Sequence, residues 1–287
     1  MNQAARGKVG VGGFGLIELM IALVLGLLVI GAAFAVFQSN QSTFRANEGL
    51  NRIQESARVV FELLSRDLRA AGGSACSNQS FVESVPGSEP KTALFRDTPV
   101  SGDGSQLTVS SGDDTAYRVT GSTSSSVTLD PAQIADARDA FKKDDWLILC
   151  NMHKTFVVQA SAVSATTLSF ASLPDGYDPA NPDFSPPAAV SVARLRSNRW
   201  FVAPNARGGN SLFVSRLGGA GEEVADGVQD MAVTYLESGG NTYTNAPASW
   251  NNVAAVRINL VLAGRDVDGN ALTRTTSNVI SLRSRAL

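Results

Sequence analysis

The chemistry open to this chain is bounded by the reactive residues it holds. Among 287 residues there is one histidine, His153, and there are two cysteines, Cys76 and Cys150. A closed zinc site needs four ligands and cannot be built from these three. Any Ser-His or Cys-His nucleophile system would have to use His153. The sequence contains no G-x-S-x-G elbow and no phosphate-binding P-loop. His153 directly follows Asn151-Met152 and reads as a strand-end or loop residue. The adjacent acids Asp113-Asp114, Asp144-Asp145 and Glu222-Glu223 lie in polar stretches and read as solvated turns. Asp266-x-Asp268-Gly269-Asn270 begins like a calcium loop but lacks the acid that closes one, so turn chemistry explains it more simply. Arg194, Arg196 and Arg199 gather around Trp200, a pattern that can serve a partner or a nucleic acid. Decoration of two strand ends is the simpler reading. The net charge of −2 and the pI near 5.5 argue against binding by phosphate neutralisation. We therefore expect no enzyme activity, no cofactor and no metal.

The acid that is out of place is Glu18. Residues 16–37 read LIELMIALVLGLLVIGAAFAVF, and Glu18 is the one charge among them. A helix of this length spans a bilayer core. A carboxylate inside such a span costs roughly 2.5–3.5 kcal/mol on insertion scales, so its presence calls for a function. Residues 1–13 carry Arg6 and Lys8 and no acid, which by the positive-inside rule keeps them cytoplasmic and exports the rest. No A-x-A cleavage site follows the apolar run closely, so a conventional secretory signal fits poorly.

The elements that position these residues follow from periodicity. No proline precedes Pro86. Beyond the span, Leu50, Ile53, Ala57, Val60, Leu64 and Leu68 recur at intervals of three and four, one apolar stripe of an amphipathic helix. Opposite charges at Glu48–Arg52, Glu55–Arg58 and Glu62–Arg66 support it on the other face. Gly72 and Gly73 end the pattern. The helix thus predicted runs from Phe14 to about Ala71, roughly 87 Å at 1.5 Å per residue. From Gly73 onward the composition turns to Ser, Thr, Gly, Asp and Pro with short β-branched runs. Strands are predicted at 106–110, 117–120, 126–129, 146–150, 155–160, 167–170, 190–195, 200–202, 212–215, 231–236, 254–262 and 279–282. A short helix is expected from Asp130, with Pro131 in its first turn. Turns are expected at Gly102-Asp103-Gly104 and Asp268-Gly269-Asn270, and an irregular loop at 174–187. The fold class is α+β: a long N-terminal membrane-spanning helix packed on an antiparallel β-rich head. In an exported domain the pair Cys76 and Cys150 is expected to bridge, closing a loop whose constraint is worth roughly 4.5 kcal/mol in the chain-entropy model; two buried thiols are the alternative.

Gly13-Phe14-Gly15-Leu16-Ile17-Glu18-Leu19 resembles the type IV prepilin processing site, with Gly15 where the family usually has Thr or Ser. Three later stretches resemble PilW-type minor pilins. They are Glu62-Leu63-Leu64-Ser65-Arg66-Asp67-Leu68-Arg69-Ala70-Ala71-Gly72 followed by Cys76, then Asp145-Trp146-Leu147-Ile148-Leu149-Cys150, then Val224-Ala225-Asp226-Gly227-Val228-Gln229-Asp230-Met231. Residues 253–262 and 276–283 are similar to the two strands that usually close those proteins. The resemblance implies a leader at 1–13 cut after Gly13 by a prepilin peptidase, and N-methylation of the new terminus Phe14. It implies a pilin helix at 14–72, with 16–37 transmembrane and 38–72 amphipathic, and a periplasmic head at 73–287. Glu18 would pair with the N-terminal amine of a neighbouring subunit in the fibre. The implied partners are other minor pilins, the major pilin, a tip adhesin and, before assembly, inner-membrane lipid; nucleic acid is not expected. The implied location is the inner membrane, single-pass with the head periplasmic, and then the pilus. A type II secretion pseudopilin of the J kind shares this architecture. A tip adhesin or DNA-binding minor pilin using Arg194–Trp200 is the further alternative. Loss of the leader would take the formal net charge from −2 to −4.

Overall fold

The computed structural model describes residues 15–76, 80–171, 173–174, 177, 189–265 and 271–282. Gly13 and Phe14, the turn at 266–270 and most of the loop at 174–187 lie outside these residues, so the expectations placed on them have no structural counterpart here. Helix α1 (Leu16–Ala70) runs for 55 residues, about 83 Å. It is continuous because nothing in it breaks the ladder: no proline occurs, and Gly26 and Gly31 sit in open surroundings. Its end is fixed by three main-chain bonds. Gly72, at φ +66°, donates to the Ser110 carbonyl at 2.9 Å, and Gly73 donates back to Ala70 at 2.8 Å. The N–H of Gly112 donates to the Gly73 carbonyl at 2.9 Å. A left-handed turn at Gly72 is cheap because there is no Cβ to clash. The helix therefore stops where the expected glycines stand, and the chain passes directly onto the head.

The head elements, in order, are β1 (Phe81–Glu83), α2 (Glu89–Arg96), β2 (Val100–Gly102), β3 (Gln106–Ser122), β4 (Ser126–Leu129), β5 (Trp146–Cys150), β6 (Lys154–Val163), β7 (Thr167–Phe170), β8 (Ser191–Pro204), β9 (Asn210–Arg216), β10 (Gly221–Asp226), β11 (Val228–Glu237), β12 (Val253–Arg265) and β13 (Ala271–Ser281). Among the described residues, ten strands join in the order β10-β9-β8-β5-β6-β7-β4-β3-β2, with β1 parallel to β6. The long strand β3 also pairs with β8. The pairings β3–β8, β8–β5, β5–β6, β6–β7, β7–β4 and β4–β3 therefore close a ring, an antiparallel barrel. Its interior holds Val119, Val127, Leu129, Leu147, Leu149, Phe156, Val158, Leu168, Phe170 and Val192. Closure removes strand edges that would otherwise be exposed.

A second sheet, β11-β12-β13, stands apart and is antiparallel throughout. Its inner face shares one core with α1 and with β3, β8 and β9: Ile53, Val60, Leu64 and Leu68 meet Leu107, Trp200, Val214, Met231, Tyr235, Ile258 and Leu260. The predicted apolar stripe of the helix is therefore the face that packs. Helix and sheet meet tightly at Gly264, where an added Cβ would lie 2.9 Å from Ile53 Cδ1.

Several expectations are corrected. The helix expected from Asp130 is a single turn; Asp130 Oδ1 accepts from the Ala132 N–H at 3.0 Å, but the pattern ends at Ile134. The strands predicted at 106–110 and 117–120 are one strand, β3, and those at 190–195 and 200–202 are one strand, β8. The charged pair Glu222-Glu223 belongs to strand β10, not to a turn, each acid meeting an arginine across the β9–β10 hairpin or its flank. Helix α2 and strands β1 and β2 were not anticipated. Of the three helix charge pairs, Glu48–Arg52 forms at 2.9 Å, while Arg66 turns instead to Asp114 in the head.

Tyr235 supplies a prediction. It is fully buried, its Oη has no hydrogen-bond partner among the described atoms, and burial pushes its ionisation well above the usual value. A folded-state value raised above the unfolded one gives stability that is complete below about pH 10 and is lost as pH rises past it. Tyr235→Phe should remove that alkaline loss and change stability near neutral pH by less than about 1 kcal/mol. Thermal melting of both chains against pH checks this; a larger loss at neutral pH would reveal a bond to Oη.

Candidate functional site

Glu18 lies in the first turn of α1, and its carboxylate accepts from the Gly15 N–H at 3.1 Å. This is one half of a capping box; Gly15 has no hydroxyl to return the other half. Every described side chain from Leu16 to Arg45 is exposed, including Leu19 at 62% and Phe34 at 61%. The most apolar part of α1 is long enough to cross a membrane, and none of it is buried against the described residues of the chain. A soluble protein does not leave this much contiguous apolar surface bare. The bare half is a candidate membrane span, compatible with single-pass insertion.

The opposite end of α1 is held by a buried acid. Asp67 stands three residues after Leu64 and therefore on the packed face, and it is 7% exposed. Three residues of β8 converge on it. Arg196 donates to Oδ1 at 3.0 Å, while Asn198 Nδ2 and Trp200 Nε1 donate to Oδ2 at 2.8 and 2.9 Å. Alternate residues of a strand share one face, so 196, 198 and 200 reach the helix together. A bulge in β3, where the register with β8 shifts between Gly112 and Ala116, brings up two more acids. Asp113 accepts from Arg194 at 3.1 Å, and Asp114 accepts from Arg196 at 3.1 Å and from Arg66 of the helix. Asp113 and Asp114 are thus not solvated turn residues. With Asp67 they form an acidic bay that holds Arg194 and Arg196 of β8, with Arg196 against α1.

This settles most of the arginine cluster read from the sequence. Arg194 and Arg196 are engaged by acids of the same chain. Arg199 lies over the Phe201 ring at 4.9 Å and reaches Gln106 at 3.5 Å. The residues do come together, but around Asp67 and the β3 bulge. Asp67 itself and Asn198 were missed as a site. The signal was present as an acid on the buried stripe of the helix.

Cys76 and Cys150 form a disulfide that ties the segment after α1 to β5. It lies beside Phe95, Ile148, Val157 and Leu195, and α2 supplies the phenylalanine. The helix is thereby joined to the head twice, through Asp67 to β8 and through Cys76 to β5. His153 lies in the turn between β5 and β6, its N–H donating to Asn151 Oδ1 at 2.8 Å and its carbonyl accepting from Phe81 at 2.8 Å. Among the described residues, no group of three His, Cys, Asp or Glu is placed to hold a metal ion. No family model, no curated protein and no solved structure matches this chain.

Removing one partner of a buried charge pair costs more than the pair contributes, because the other charge stays buried. Asp67→Ala should lower stability by about 3–5 kcal/mol and expose the amides of residues 60–70 to hydrogen exchange. Asp67→Asn, which keeps one acceptor oxygen, should lose less. Equal protection of these amides in the wild type and Asp67→Ala would show that the acid does not hold the helix.

Proposed function

We propose that this chain is a minor pilin of the PilW type that takes part in priming the assembly of a type IV pilus. The observation that carries this reading is the division of α1: an N-terminal half that is wholly bare and apolar, with one carboxylate in its first turn, and a C-terminal half sealed into the head. Such a helix is suited to leaving a membrane for a bundle of like helices, since both surroundings cover its apolar surface.

In this reading Glu18 supplies the recognition. While the chain is alone in lipid, the Gly15 N–H partly satisfies the carboxylate. In the fibre the N-terminal ammonium of a neighbour supplies the counter-charge, and a paired buried charge costs far less than a lone one. In this chain, cleavage after Gly13 by a prepilin peptidase creates the corresponding ammonium at Phe14. The chain starts as a single-pass protein of the inner membrane with its head in the periplasm, where the Cys76–Cys150 bond forms. Other minor pilins and the major pilin are its partners, and the fibre rather than the single chain carries adhesion, motility or DNA uptake.

The test is incorporation. Glu18→Ala should insert in the membrane as well as wild type and be recovered from sheared surface fibres at levels lower by about tenfold or more, the loss of one charged hydrogen bond. Normal incorporation would overturn the role of Glu18. A secretion defect on deletion, with piliation intact, would place the chain in a type II secretion pseudopilus instead.

A further inference from the structure

We infer that the outer edge of β13 receives an extended strand from a different subunit of the same assembly, an inference that rests on the assembly reading above. The direction of its main-chain groups follows from the ladder. Tyr235 of β11 exchanges both of its main-chain bonds with Thr244, at 2.7 and 2.9 Å, and so turns away from β12. Its cross-strand partner Val256 must therefore bond toward β13, to Ile280. The bond from the Leu282 N–H to the Ala254 carbonyl, 2.9 Å, has the same parity. The register from Ser281 to Ala271 contains no shift, so the alternation persists along the whole strand. Thr273, Thr275, Ser277 and Val279 then point their N–H and C=O outward. The Val279 N–H is met by Asn278 Oδ1 at 2.8 Å, which closes that end and leaves Thr273 to Ser277 open among the described residues.

An open edge of this kind is normally protected by a proline, a lysine, an inward charge or a bulge. Residues 271–281, ALTRTTSNVIS, contain no proline, no lysine and no acid, and the ladder with β12 has no bulge; their one charge, Arg274, has the parity of Ile280 and is exposed. The edge strand β10, by contrast, carries two glutamates and a register shift between Glu223 and Ala225. The outward-facing side chains of β13 are small or β-branched and exposed, Val279 at 48%. Strand addition takes its affinity from main-chain bonds and its selectivity from the side chains that alternate along the edge. The one charge on β13 is Arg274, so the incoming strand is uncharged or acidic opposite it.

A second copy of this chain does not fit the edge by antiparallel pairing while both are anchored. Antiparallel pairing of β13 with itself places a two-fold axis perpendicular to the sheet, which reverses every direction lying in the sheet plane. Helix α1 lies against the inner face of this sheet, with Ile53 on Gly264. The two bare helix halves would then point in opposite directions and could not enter one membrane. A different subunit, with its helix parallel to α1 and a strand at the matching height, meets no such conflict.

The test uses the full-length chain in cells. Thr275→Pro removes an outward N–H and leaves the bonds to β12 in place, which an edge strand tolerates; Thr275→Lys is the second variant. Both should reach wild-type membrane levels with the Cys76–Cys150 bond formed, yet appear in sheared fibres at about one tenth of the wild-type amount, the scale of losing one or two aligned main-chain bonds. If both variants enter fibres as the wild type does, the edge is not used, while the assembly reading stands. If the wild type itself is absent from fibres, both ideas fall. A homodimer cross-linked through β13 in the membrane would also overturn the proposal.

Discussion

A carboxylate buried between a helix and a strand is the constraint on which this structure turns. Asp67 cannot remain in the core unless its charge is met, and three β8 residues meet it. Because 196, 198 and 200 are fixed by the β3–β8 ladder, the acid fixes where the helix lies along the sheet. Buried polar networks of this kind are stringent because a partly satisfied one is worse than none.

From that fixed point the two halves of α1 acquire their different roles. The C-terminal half becomes part of the head, sealed also by the disulfide behind it. Among the described residues, the N-terminal half has nothing of its own chain to pack against. The barrel of β3 to β8 adds a rigid body with its own core, to which the small sheet β11–β13 is joined through the helix and the shared core. In the proposed assembly, the bare apolar stem would supply general affinity for like helices and the head selectivity for neighbours.

The long helix was legible because its signals are local. The absence of proline, the stripe from Leu50 to Leu68 and the glycines at 72 and 73 each act within a few residues, and the structure places the helix ends within two residues of that reading. Strands β4, β5 and β7 were legible to the residue because short β-branched runs end abruptly in turns. Barrel closure was not legible, since it depends on β3 pairing with β4 and β8 at once, a long-range fact that no local pattern contains. Strand β10 was hidden by its two glutamates, which face solvent and read as a turn. The arginine cluster was found, but its partners Asp67, Asp113 and Asp114 lie far away in sequence, so only the fold could show that the charges close on one another.

The mass of the N-terminal peptide, measured on the chain from cells with and without a prepilin peptidase, tests the assembly reading most directly. The expected result is a chain that begins at Phe14 with a methylated amine when the peptidase is present, and that retains residues 1–13 when it is absent. An unprocessed terminus in both cells, or cleavage beyond Ala35 within the apolar run, would contradict it.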